Sequence, residues 1–168
     1  MKQQPLLDAS EGGAQRRENE LNSFDRSFQT DARAEPARPE VGIASDALMG
    51  YAFGSIDEMG DGVFRKVRQE LGVTAFGVNV LVLAPGIDAR PHFHEQQDEL
   101  YFVHSGRARF ALPGETRELG PGGLCHVAST TPRQVSSIGD DDLVMLVVGA
   151  KDGYVGRDGQ PADPETLG

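Results

Sequence analysis

His92 and His94 stand one residue apart in the run GIDARPHFHEQQDELYFVHSG, and Glu99 follows them closely. Imidazole nitrogens and a carboxylate oxygen are the donors from which divalent-metal sites are built. Their spacing lets them converge. In an extended strand side chains alternate, so His92 and His94 share one face and Phe93 takes the other. A turn through residues 95–98 lets a second strand, opening at Glu99 and continuing through Leu100, Tyr101, Phe102 and Val103, return beside the first. Further on, PGGLCH places His126 near the start of another strand, where it would complete a set of three imidazoles and one carboxylate.

Such a set suits Fe(II), Mn(II), Ni(II), Co(II) or Zn(II), among which geometry and availability choose more than affinity does. A six-coordinate ion would keep two positions open for water, a bidentate oxygen ligand, or a substrate atom beside dioxygen. The metal would then act as a Lewis acid or an oxygen activator. Four-coordinate zinc would instead be closed and structural. The other polar residues read more plainly. His104 has the strand parity of an outward residue, and its neighbour Ser105 makes no catalytic pair with it by adjacency alone. Cys125 reads as a small buried hydrophobe. Asn79, Gln97 and Gln134 are candidate supporting groups, and Arg107, Arg109 and Arg133 are the basic residues nearest the motif strands.

The elements that must position these groups are short strands. Residues 73–84 form a long β-branched and aromatic run ended by Pro85-Gly86, and further runs at 107–112, 116–119, 124–128, 134–138 and 143–149 are punctuated by glycine and proline. That pattern predicts an all-β sandwich or barrel. Residues 63–71 fit a short helix stopped by Gly72 or a strand equally well. Residues 1–47 read as a polar, disordered N-terminal extension, relieved only by Leu21, Phe24 and Phe28 at helical spacing and ending in a linker around Pro36 and Pro39. The domain then spans 48–150, and the polar stretch 151–168 is expected to be loose or laid over the surface.

Charge narrows the partners. Sixteen basic against twenty-six acidic side chains give a net charge of -10 over 168 residues, which argues against nucleic acid and anionic membrane surfaces and favours a small-molecule ligand. One cysteine excludes an intramolecular disulfide, and no run reaches the length of a membrane span, so a reducing, cytoplasmic location is expected.

The first motif resembles that of the cupin superfamily, G-x5-H-x-H-x4-E-x6-G, complete here as Gly86, His92, His94, Glu99 and Gly106. The second, G-x5-P-x-G-x2-H-x3-N, is met in part by Pro121, Gly123 and His126, with Glu115 in place of the leading glycine and Thr130 in place of the asparagine. The resemblance implies a double-stranded β-helix, a single jelly-roll cupin barrel with one metal in its mouth, and it favours an open site, with iron or manganese ranked first. Cupins serve many chemistries. The leading reading is a metal-binding cupin that acts on or binds a small polar metabolite at a three-histidine, one-glutamate site, by dioxygenase or isomerase chemistry if it is an enzyme. The alternatives are a non-catalytic metal- or ligand-binding cupin and an interaction protein. A homodimer is also expected: if Glu99 and Tyr101 face the metal, Leu100 and Phe102 face out and need cover.

Overall fold

The computed structural model describes residues 50–168. The extension 1–47, with its apolar stripe and its linker, lies outside the described residues. The strands are β1 (Phe64–Arg65), β2 (Gly77–Leu83), β3 (His92–His94), β4 (Asp98–Ser105), β5 (Ala108–Leu112), β6 (Glu115–Leu119), β7 (Leu124–Val127), β8 (Gln134–Ser137), β9 (Leu143–Ala150) and β10 (Gly159–Pro161), with a one-turn helix α1 (Val67–Glu70) after β1. They form a five-stranded sheet in the order β1-β2-β9-β4-β7, a three-stranded sheet β6-β5-β8 and the pair β10-β3. An antiparallel bridge between His92 and Arg133 carries β3 alongside the segment that enters β8. The all-β expectation holds, and the sheets enclose one core in the manner of a β-barrel.

Alternation explains which residues meet inside. Along β4, Glu99, Tyr101 and Val103 turn inward and are buried, while Leu100 and His104 turn outward. Along β2 and β9 the inward residues are Leu81, Leu83, Leu143 and Met145, and they pack with Val103, Phe110 and Val135 into the core. Tyr101 meets Phe110 edge to face at 5.2 Å, the offset geometry that aromatic quadrupoles prefer.

Residues 63–71 satisfy both of their expected conformations. Phe64 and Arg65 pair with Leu81 and Val80, and α1 follows until Gly72 ends it at φ +66°. The β2 strand is shorter than the apolar run suggested, because the Val73 amide donates back to the Arg68 carbonyl at 3.0 Å and ties that end of the run to the helix. A larger difference lies at the C-terminus. Residues 151–168 are not loose: β10 pairs with β3, placing Gly159 opposite His94, Asp158 is buried, and the Gly168 amide donates to the Leu112 carbonyl at 3.0 Å. Among the described residues no helix is long and apolar enough to cross a membrane.

The glycine that closes the first motif is demanded by close approach. Gly106 adopts φ +74°, and a Cβ there would lie 2.5 Å from the Asp142 carbonyl oxygen. Gly114 has the same φ with nothing within 4 Å. Gly114→Ala should therefore cost only the left-handed backbone penalty, about 1–2 kcal/mol. Gly106→Ala should cost clearly more, because backbone must also move. Urea midpoints at unchanged m-value measure the difference; equal losses would remove the steric argument.

Candidate metal centre

The turn between β3 and β4 folds Glu99 back against the histidine pair, as the spacing required. His92, His94 and Glu99 each offer a donor atom, and these atoms all lie within 4.8 Å of one another. His94 Nε2 is 3.1 Å and His92 Nε2 is 3.9 Å from the Glu99 carboxylate. The ring nitrogens on the far side are occupied. His92 Nδ1 lies 3.1 Å from the Arg90 carbonyl oxygen, to which it donates, an orientation that would leave Nε2 of a neutral ring with its lone pair towards Glu99. His94 Nδ1 has the Gln97 side-chain amide nitrogen at 3.0 Å and an Asp158 carboxylate oxygen at 3.6 Å. With the ring proton on Nδ1, towards the Asp158 carboxylate, His94 too would direct a lone pair from Nε2. Histidine ligands are commonly oriented in this way, by an acceptor on the other nitrogen.

The donor set fits a metal ion on a further count. His94 Nε2 is buried with no aligned hydrogen-bond partner, despite its closeness to Glu99. A buried polar atom left in that state is costly unless something completes it. Two imidazoles and one carboxylate on a single face make the three-donor pattern that leaves coordination positions open.

His126 is not part of this group. In the antiparallel pairing of β4 with β7, His126 stands opposite Leu100 and Cys125 opposite Tyr101. Directly paired residues share a face, so His126 lies outside with Leu100, 3.4 Å from Asp98. The expected three-histidine, one-glutamate set is therefore corrected to two histidines and Glu99. Cys125 takes the inward place and packs against the core, where burial pushes its thiol up. Arg107 and Arg109 pair with Glu118 on the exposed face of β5 and β6, and Gln134 donates to the Ala89 carbonyl, away from the group.

Arg133 holds the remaining side of Glu99. Its guanidinium is fully buried, donates to Glu99 at 2.6 Å, and also donates to the Tyr101 hydroxyl and the Thr131 carbonyl at 3.3 and 3.1 Å. Tyr101 in turn donates to the same Glu99 oxygen. Burial pushes the Glu99 carboxyl up, but the His92 and His94 rings and the Arg133 guanidinium that face it outweigh burial, leaving the carboxyl well below its ordinary range. Burial alone also pushes Tyr101 up, and the Glu99 charge adds to it.

His92, His94, Glu99 and Tyr101 line a cavity of about 670 Å³, whose wall also includes Asn79, Gln97, Tyr154, Arg157 and Asp158. The volume is that of a small-molecule site. Two of the candidate supporting residues, Asn79 and Gln97, are thus at the cavity. Tyr154, Arg157 and Asp158 had no local sequence signal, since they come from the polar stretch taken for a tail.

Residues 79–149 match the family model described as Cupin domain. That segment of the chain is a cupin domain. Among solved structures it resembles a sugar phosphate isomerase of the cupin superfamily from Silicibacter pomeroyi DSS-3, at 19% identity over 62% of this chain and 82% of that one, with a TM-score of 0.51. It also matches a predicted oxalate decarboxylase from Thermotoga maritima at 25% identity over 45% of this chain and 65% of that one, TM-score 0.43. DMSP lyases match at 30% identity over 52% of this chain and 44% of theirs, TM-score 0.47. The first likeness is one of fold, and the chain spans less than two thirds of the other two. No curated protein matches the chain.

Within this cupin domain the second motif matches at Pro121, Gly123 and His126, and a shift of seven residues keeps only its leading glycine, with Ala128, Thr130 and Ser137 at its proline, second glycine and asparagine. Moved so that Gly122 takes the leading glycine, it lays its histidine position on Arg133, the residue that faces Glu99. In that register an arginine stands at the motif's histidine position.

Removing one partner of a buried ion pair strands the other. Arg133→Met should destabilise the domain by about 3–5 kcal/mol, measured by urea unfolding in chelator. The acid limb should move as well. Because the folded Glu99 carboxyl lies below its unfolded value, its ionised form adds stability above the ordinary carboxylate range and loses it as pH falls through the depressed value. Without Arg133 that loss should begin at higher pH. An unchanged acid limb would show that the pair does not govern Glu99.

Proposed function

We propose that this cupin domain holds one divalent transition metal, iron or manganese first, on His92, His94 and Glu99, and that it binds or converts a small polar metabolite in the adjoining cavity. The convergence of three buried-side donors within 4.8 Å carries the reading. When bound, the metal would supply Lewis-acid or oxygen-activating chemistry, which suits dioxygenase or isomerase reactions. The protein's own part is preorganisation. The Arg90 carbonyl, Gln97 and Asp158 set the two rings, and Arg133 with Tyr101 keeps Glu99 ionised and aimed. Three protein donors would leave more of an octahedral shell open than four, so the ligand can bring more than one oxygen.

A second reading is favoured by the Arg133–Glu99 pair. A guanidinium 2.6 Å from the carboxylate already satisfies it and repels a cation nearby. A metal-free cupin that binds its ligand without chemistry would need that pair and no ion.

The proposal extends to a homodimer formed through the outer face of the larger sheet. Leu100 is 44% and Leu124 60% exposed there, next to half-buried Phe102, Leu146 and Val148. Burying a large aliphatic side chain is worth about 1.5–3 kcal/mol.

Protein purified without chelator should carry one equivalent of metal by elemental analysis. His94→Ala should lose it, whereas His104→Ala and His126→Ala should keep it. Metal-free wild-type protein that refuses reconstitution would decide for the second reading. Light scattering should give twice the chain mass, falling to the single-chain mass on Leu100→Lys with Leu124→Lys; a monomeric wild type would exclude the dimer.

A further inference from the structure

The wall of the cavity carries three basic residues. Lys66, Arg68 and Arg157 line it, contributed by the residue before α1, by α1 itself and by the loop that leads into β10. Among the described residues none of the three forms an ion pair, whereas Arg107, Arg109 and Arg117 on the outer surface are each matched to a glutamate. Three unmatched cations around one cavity are unexpected in a chain whose net charge is -10. The two carboxylates on the same wall do not offset them. Glu99 is paired with Arg133, and Asp158 is buried, accepting from the Gln96 and Gln97 amides at 3.1 and 2.8 Å.

Two details show that the basic wall is built rather than incidental. The Arg68 guanidinium lies over the Tyr154 ring, 3.8 Å from its centroid, so stacking fixes its plane and ties α1 to the C-terminal segment. Arg157 adopts φ +57°, a left-handed conformation that costs a non-glycine residue and that concentrates at ligand-holding positions. A low-dielectric cleft of one sign focuses its field on the ligand.

We propose that the ligand of this cavity is a small organic anion carrying a carboxylate or a phosphate, with Lys66, Arg68 and Arg157 gripping the charged group while the polar remainder extends towards His92, His94 and Glu99. This rests on the reading of the cavity as the ligand site and deepens it by naming the ligand's charge. Arginine presents a planar fork that pairs with either oxyanion by two parallel bonds, and lysine adds a point charge. The same residues select against a neutral analogue, because an uncharged group gains no charge-assisted hydrogen bonds from them.

The test uses the full chain and three probes: inorganic phosphate, succinate, and succinamide as the uncharged counterpart. Calorimetry and thermal shift should show binding of phosphate or succinate at millimolar concentration or better, and none of succinamide. Lys66→Gln and Arg157→Asn, the latter chosen because asparagine tolerates the left-handed backbone, should each weaken the anion about tenfold, in line with a lost charge-assisted hydrogen bond. The pair together should weaken it further, and Lys66→Arg should restore binding. Metal content is measured on the same samples. Anion binding that depends on Lys66 and Arg157 in metal-free protein would sustain this inference while overturning the metal reading. Stoichiometric metal with anion binding indifferent to both substitutions would do the reverse, locating the anion on the ion alone. Equal binding of succinamide, or no binding of either anion by wild type, would also overturn the inference.

Discussion

The buried pair of Arg133 and Glu99 is the constraint on which the rest of the site depends. A fully buried guanidinium cannot exist without partners, because its desolvation is repaid only by close, well-aligned acceptors. Arg133 meets that demand at both ends. Its backbone exchanges hydrogen bonds with His92, at 2.9 and 3.0 Å, and its side chain reaches Glu99 and Tyr101 on β4. One residue thus ties the strand of the histidines to the strand of the carboxylate and links the two main sheets at the cavity's edge. Glu99 stays ionised despite its burial because this charge and the two imidazoles face it.

Placing an arginine beside the donors changes what the site can hold. With a histidine there, the ion would be surrounded by four protein ligands. With a guanidinium, one carboxylate oxygen is engaged by Arg133 and Tyr101, and the other faces His94. The positive charge disfavours a cation nearby and favours an anion bound between cation and arginine. An engaged carboxylate and a positive charge beside the donors are both consequences of the buried arginine.

The last stretch of the chain supplies the other half of the arrangement. Asp158 accepts from the amides of Gln96 and Gln97, which fixes the turn between β3 and β4, and it stands within ion-pair range of His94. Pairing of β10 with β3 holds it there. Gly149 allows the fit: a Cβ at that position would lie 2.9 Å from the Gln97 side-chain oxygen. His94 is therefore oriented by a residue more than sixty positions away. Displacing the C-terminal segment would open the cavity and release the ring together.

How much of this the amino-acid sequence determined follows from the range of the interactions involved. Strand parity is local, so the convergence of His92 and His94 on one face, the inward Glu99, Tyr101 and Val103, and the outward Leu100 and His104 were legible from alternation, as were the punctuated strands of an all-β barrel. The facing of His126 was not, because it depends on which residue of β4 it pairs with, and a register offset by one residue reverses every side chain. Arg133 read as an ordinary basic residue until the bridge to His92 brought it against Glu99. Residues 151–168 are polar and turn-rich, with too few apolar side chains to announce burial; what holds them is backbone pairing with β3 and one buried carboxylate, interactions that have no signature until the partner strand is in place. The local chain determined the donors and their face; the pairing of distant strands decided how many donors there are, what balances their charge and which residues wall the cavity.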